Sequence, residues 1–190
     1  MTRRAWDGKP MIMDACVLID FIKSDCALFK LVSLYVGALH VTSFMLDEIE
    51  DVENQSEFEE LGLVVLEPHA EDVFSAGYPG GPTSFQDRVC MLTAKRNGLI
   101  CVTNDKSLRS LCTAEGVPIL WGLELIAELR RVRGISGKES IKIAQAIRKC
   151  NPTHINDEIL SRFTELIRKG STRSGGDQIM RAHENKKVMK

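Results

Sequence analysis

The chain has 190 residues, of which 44% are hydrophobic and 27% charged, with a formal net charge of −1. That length suits one compact domain with at most a small appendage, and the composition is that of a globular chain able to bury a real core. Its apolar runs, such as Leu31–Val36 and Leu61–Leu66, are too short to cross a bilayer, and the N-terminal segment lacks the apolar core and cleavage site of a secretory signal, so a cytoplasmic protein without membrane contact is expected.

Pro10–Asp14 reads as a short, continuously apolar strand that ends in an acid. Ala15–Lys23 follows with helical spacing (Val17, Leu18, Phe21, Ile22), and a second helix runs from Cys26 to Tyr35, with Ser24 and Asp25 as candidate caps. Gly37 ends it, Ala38–Thr42 is strand-like, and Ser43 can cap a helix carrying Leu46, Ile49 and Val52 on one face. The polar stretch Glu53–Glu60 leads to a buried strand, Leu61–Leu66, stopped by Pro68. His69–Ala76 is a short helix, and Gly77–Pro82, the densest breaker cluster in the chain, is a loop.

Ser84–Asn97 is then a helix closed by Gly98, Leu99–Thr103 a β-branched strand, and Asp105–Glu115 a helix ended by Gly116. Val117–Leu120 is the last strand and Leu123–Arg133 the helix after it. Short apolar strands alternating with amphipathic helices predict a three-layer α/β/α fold around a parallel sheet of about five strands. Residues 1–133 form this unit. Residues 134–170 form a helical extension, in which Ser136-Gly137-Lys138-Glu139 is a capping-box pattern, Pro152 a breaker and Asn156–Lys169 a further helix. Residues 171–190 read as a flexible basic tail.

The six cysteines contain no Cys-x-x-Cys pair, and no His stands at zinc-ligand spacing from them, so reduced thiols are expected. The near-zero net charge hides an asymmetry. Residues 1–129 hold 10 Lys+Arg and 20 Asp+Glu, whereas residues 130–190 hold 15 and 6. An acidic body beside a basic third suggests nucleic-acid contact or an acidic partner, with solvated helix faces as the plainer alternative.

In an open parallel sheet, ligands collect at the carboxyl ends of the strands. Asp14 ends the first strand, Asp105 follows the fourth, Asp87 opens the helix leading into that fourth strand, and Glu48 lies one turn beyond the second strand. Four gathered carboxylates would repel one another unless a cation sat among them, and Mg²⁺ or Mn²⁺ prefers such hard oxygen ligands. Singly, three of them have simpler explanations. Asp105 can cap its helix, Asp87 can be a first-turn acid favoured by the helix dipole, and Glu48 lies in the acidic run 47–53. Asp14 is different, because solvation does not explain an acid that closes a buried strand.

Four segments together resemble the PIN-domain nuclease family. Met11–Asp20 is similar to its opening, in which an Asp ends the first strand. Thr42–Ile49 resembles its second motif, an acid followed by an aliphatic residue, which favours Glu48 over Asp47. Ser84–Ala94 resembles the third, with Asp87 on the first helical turn, and Cys101–Asp105 resembles the fourth, a strand ending in Thr-x-Asp. The likeness spans about residues 10–130. Cys16 departs from it, standing where many relatives carry a small hydroxyl or amide residue, and so does Ser107, where some carry another acid.

The resemblance implies a Mg²⁺- or Mn²⁺-dependent endoribonuclease in which Asp14, Glu48, Asp87 and Asp105 are both the catalytic and the metal-holding residues. Thr103, Asn104, Lys106 and Arg109 are candidate supports or substrate contacts. Through the VapC-type toxin ribonucleases it also implies an RNA substrate, a cognate antitoxin protein, a homodimer and a toxin role. An RNA-processing nuclease or a catalytically silent nucleic-acid-binding domain would share the site. A phosphatase of the haloacid-dehalogenase type fits less well, because it usually shows Asp-x-Asp where this chain has Asp14-Ala15-Cys16, and the acid pair and later Lys of a receiver domain are not cleanly present.

Overall fold

The computed structural model describes residues 8–168 apart from 50, 51, 53, 79, 80, 153 and 154. Its centre is β1 (Met11–Met13), every residue of which is buried, as a strand covered on both faces must be. α1 (Ala15–Ser24) and α2 (Ala27–Tyr35) lead to β2 (Leu39–Thr42), and Asp25 Oδ1 accepts the Ala27 N–H at the start of α2 (3.0 Å). α3 (Gln55–Leu61) and β3 (Val64–Leu66) follow, then α4 (Ala70–Ala76), α5 (Phe85–Asn97), β4 (Ile100–Val102), α6 (Lys106–Ala114), β5 (Ile119–Leu120), α7 (Gly122–Arg131) and α8 (Gly137–Cys150). A last helix, α9, covers 157–168.

All five strands are parallel, in the order β3-β2-β1-β4-β5. The register pairs Met11 with Leu39 on one side and with Ile100 on the other. α1, α2, α7 and α8 pack together as one helical layer, and α4, α5 and α6 form the other, with α5 lying against β1, β2 and β4. The chain therefore winds outward from β1 to β3 and then returns to β4 on the opposite side of β1. The loops after β1 and β4 leave in opposite directions, and the crevice between two such strand ends is where open α/β sheets hold ligands.

Three expectations need correcting. The segment after β2 is a 3-10 turn over Ser43–Asp47, not an α-helix, and Ser43 donates to Glu67 Oε2 (2.9 Å) instead of capping. Burial of Met45, Ile49 and Val52 holds this segment against the core without helical periodicity. The polar run before β3 forms α3, buried through Phe58, so Leu61 belongs to that helix and only Val64–Leu66 is strand. Gly62 ends α3 at φ +89, the left-handed conformation glycine allows. β3 is a half-exposed edge strand, because β2 covers just one of its sides.

The boundary near residue 134 marks the end of the sheet but not of the packed unit. α8 lies along α1 and α7, and Ile143, Ile147, Ile155, Phe163 and Ile167 join the same buried cluster as the strand residues. The capping box at Ser136 and Glu139 is present. The tail read from residue 171 onward lies outside the described residues. Among the described residues no helix is long and apolar enough to cross a membrane, and all six cysteines are free thiols.

Candidate active site

Asp14 extends the β1 ladder by one residue, its N–H donating to Val102 O (3.1 Å), and opens α1 from an extended backbone (φ −82, ψ 153). A residue in that position usually caps its helix, but the Asp14 side chain does not. It is 4% exposed, and its Oδ2 accepts from Thr103 Oγ1 (2.7 Å) and Cys16 Sγ (2.8 Å). Burial pushes the Asp14 carboxyl above its ordinary pKa and the negative Asp87 nearby adds to this, while the bonds from Cys16, Thr103 and Ala15 pull the other way. Burial and the Asp14 charge likewise push the Cys16 thiol far up, so it stays a neutral donor.

Thr103 directly follows β4 with no exposure, and its hydroxyl works in both directions. It donates to Asp14 and accepts the Asp105 N–H (3.0 Å), so one oxygen couples the two strand ends across the crevice. Asp105 caps α6, its Oδ1 accepting the Leu108 N–H (2.7 Å). Asp87 sits at the third position of α5 in a capping box, with its Oδ2 on the Ser84 N–H and Ser84 Oγ on the Asp87 N–H, both 2.9 Å. The simpler readings of these two acids are thus correct as far as they go. Each has one carboxylate oxygen engaged at a helix start.

Glu48 is half-buried at the end of the 3-10 turn, its N–H on Met45 O (3.1 Å). An edge-on contact between Phe44 and Phe85, with centroids 5.6 Å apart, ties this turn to the first turn of α5 that carries Asp87. Beside Asp14, Thr42 ends β2. Continuing the register Ile12 to His40 by two pairs sets Thr42 alongside Asp14, and Thr42 Oγ1 is buried with no hydrogen-bond partner among the described residues. A buried hydroxyl left in that condition calls for a water or a ligand.

The structure thus brings Asp14, Asp87 and Asp105 to one end of the sheet, with Glu48 on the neighbouring turn. It does not close them into a finished cage, since among the described residues no three His, Cys, Asp or Glu side chains form a group that could hold a metal ion. Two of the acids point one oxygen at helix N–H groups, which limits what each can offer.

Of the other candidates, Asn104 is held by bonds to Cys16, Asp20, Arg109 and the Gly122 N–H. Lys106 is exposed and flanks two surface grooves, one against Gly81–Thr83 and one against Trp121. Arg109 is already committed, donating to Asn104 O with its guanidinium carbon 3.8 Å from the centre of the Trp121 ring. It serves to fasten the β4–α6 loop, so a steering role rests on Lys106 alone. Sequence reading missed Thr42 and Asp20. Asp20 had a signal, an acid inside the apolar run Val17–Ile22, whereas Thr42 had none.

No protein-family model matches the chain, and no curated protein is similar to it.

Proposed function

We propose that this chain is a divalent-cation-dependent endoribonuclease, hydrolysing RNA phosphodiester bonds at the crevice between β1 and β4. The observation that carries the reading is Asp14, a buried carboxylate at the topological switch point that caps nothing and faces a second carboxylate. Its Oδ2 accepts from Thr103 and Cys16, and the continued β1–β2 register sets Thr42, with its unpartnered hydroxyl, at the neighbouring strand end. Resemblance to PIN domains supports the choice of reaction.

Hard oxygen donors of this kind fit Mg²⁺ or Mn²⁺. Magnesium sites commonly use one or two protein carboxylates and retain several waters, so acids offering one oxygen each are compatible with it. Asp14 would hold the cation, Asp87 and Asp105 would add their remaining oxygens, and Glu48 would complete the set from the turn after β2. Bound there, the cation would lower the pKa of a water and neutralise charge growing on the phosphate.

The chain's own residues orient that chemistry. Thr103 fixes the Asp14 carboxylate and the Asp105 backbone relative to each other, and Cys16 holds Asp14 from the α1 side. Lys106, one residue past Asp105, can take a backbone phosphate of the RNA. The biological role that follows from the resemblance is a toxin held in check by a protein antitoxin, an assignment that rests on likeness of motif.

Incubating the purified protein with single-stranded RNA, in Mn²⁺ and in chelator, tests the activity. Cleavage should require the metal, leave 5′-phosphate and 3′-hydroxyl ends, and disappear in Asp14→Asn. A protein that binds RNA but never cuts it in Mn²⁺ belongs instead to the silent nucleic-acid-binding class.

A further inference from the structure

Asp20 lies in α1, six residues beyond Asp14, and is 2% exposed. Its Oδ2 accepts from Asn104 Nδ2 (3.1 Å) and its Oδ1 from Asn151 Nδ2 (3.0 Å). A carboxylate accepts at both ends, whereas an amide of the same size accepts at only one. Both amides can donate to Asp20 as they stand, whereas a neutral amide at this position could pair with both only if one of them turned.

The amide of Asn104 has no freedom to turn. Its Nδ2 is on Asp20 and its Oδ1 accepts the Gly122 N–H (3.1 Å), so flipping it would set donor against donor at α7. Its backbone N–H donates to Cys16 Sγ (3.3 Å), and its carbonyl accepts from Arg109. At the crowded start of α7, a Cβ on Gly122 would lie 3.2 Å from both Asn104 Nδ2 and Val17 Cγ1. Asn104 stands between Thr103, which bonds Asp14, and Asp105, whose N–H bonds Thr103. The orientation of this one amide consequently sets the backbone that places both acids. Asn151, at the end of α8, adds a link from the helical extension to the same point.

We propose that Asp20 is a positioning residue of the acidic site, holding Asn104 and through it the Thr103–Asp105 backbone, with Asn151 anchoring that framework to the end of α8. The proposal rests on the reading of Asp14, Asp87 and Asp105 as a cation site. Residues that orient metal ligands by hydrogen bonds typically change metal affinity or activity about 10–100-fold when replaced.

The test uses the full-length protein, with Mn²⁺ affinity measured by calorimetry, kcat and KM on RNA, and the melting temperature without metal. Asp20→Asn should weaken Mn²⁺ binding by about 10-fold or more and lower kcat, with KM for RNA little changed. The exchange Asp20→Asn/Asn104→Asp reverses donor and acceptor between positions 20 and 104 and keeps the bonds from Asn151 and from the Gly122 N–H, so it should regain Mn²⁺ affinity that neither single variant has. Asn151→Ala should weaken binding in the same direction by several-fold, and it decides the matter should Asp20→Asn fail to fold.

Wild-type Mn²⁺ affinity in Asp20→Asn, or in Asn151→Ala where the former is unfolded, overturns the positioning role and leaves the cation site standing. So does a loss that the exchange fails to recover, which would mark Asp20 as acting by its charge alone. A wild-type protein that binds no Mn²⁺ overturns the cation site, and the positioning role with it.

Discussion

Asp14→Asn separates the cation reading from a purely structural one, because the two predict opposite signs. The substitution keeps the side-chain volume and an oxygen able to accept from Thr103 and Cys16, but it deletes the negative charge at a site that is 4% exposed. In the wild type the folded carboxyl pKa is raised, mainly by burial. The native state therefore holds this proton more tightly than the unfolded chain. Its contribution to stability is complete below the ordinary carboxylate pKa of about 3.9 and is lost as pH climbs through the raised folded value. Without metal, Asp14→Asn should match the wild type at pH 4 and below and be the more stable of the two at pH 7.

Cation reverses the order. The unfolded chain cannot gather these acids, so if the proposed site holds Mn²⁺ the metal should bind the native state alone. At a free concentration about 100 times the dissociation constant it adds roughly 2.7 kcal/mol. For a chain of this size that is roughly 5–11 °C in melting temperature. Scanning calorimetry of both proteins, with Mn²⁺ and with chelator, at pH 4 and pH 7, gives all the comparisons. A wild-type melting temperature indifferent to Mn²⁺ refutes the cation site. A metal-free Asp14→Asn clearly less stable than the wild type at pH 7 would make Asp14 a structural acid.

Asp105 caps α6 and is proposed to hold the cation, and the two roles can be pulled apart. Asn caps a helix about as well as Asp, so Asp105→Asn should melt like the wild type without metal and yet cut no RNA, while Asp105→Ala should also lose about 1 kcal/mol of stability in urea titration. Thr42→Val replaces an unpartnered buried hydroxyl with a methyl group. It should stabilise the metal-free protein by about 1 kcal/mol while weakening Mn²⁺ binding, and a destabilised variant with intact binding would mean that Thr42 has a partner in the fold itself. Asp72 is held below the ordinary carboxylate range by its paired hydrogen bonds from Arg96, which join α4 to α5 (2.6 and 2.7 Å). That contribution is present above the unfolded pKa and is lost as pH falls through the depressed folded value. Asp72→Asn should therefore flatten the acid limb of the stability curve, and a limb unchanged below the ordinary carboxylate pKa of about 3.9 would show that the pair adds nothing.

Much of this protein could be read from local chemistry, because the signals were local. Strand composition around Met11–Met13 and Ile100–Val102, caps such as Ser84 and Ser136, and helix-ending Gly98 all act within a few residues, so they are visible in order along the chain. The three-layer architecture followed from alternation of strand and helix. Asp14 stood out for the same reason, since a charged residue ending a buried strand has no local explanation.

Where the sequence failed, burial and long-range pairing made the decision. After β2, Ile49 and Val52 carry helix-like spacing, yet packing against the core draws the chain through a 3-10 turn. Leu61–Leu66 looks uniformly apolar, but the strand order leaves β3 at an edge, where half its surface stays wet. The reversal at β1 and β4 brings residues 14 and 105 together through one hydroxyl, and no local pattern encodes that reversal. Asp20 shows the limit most clearly. The two amides that donate to it are 84 and 131 residues away, so this arrangement exists only once α1, the β4–α6 loop and the end of α8 have packed together.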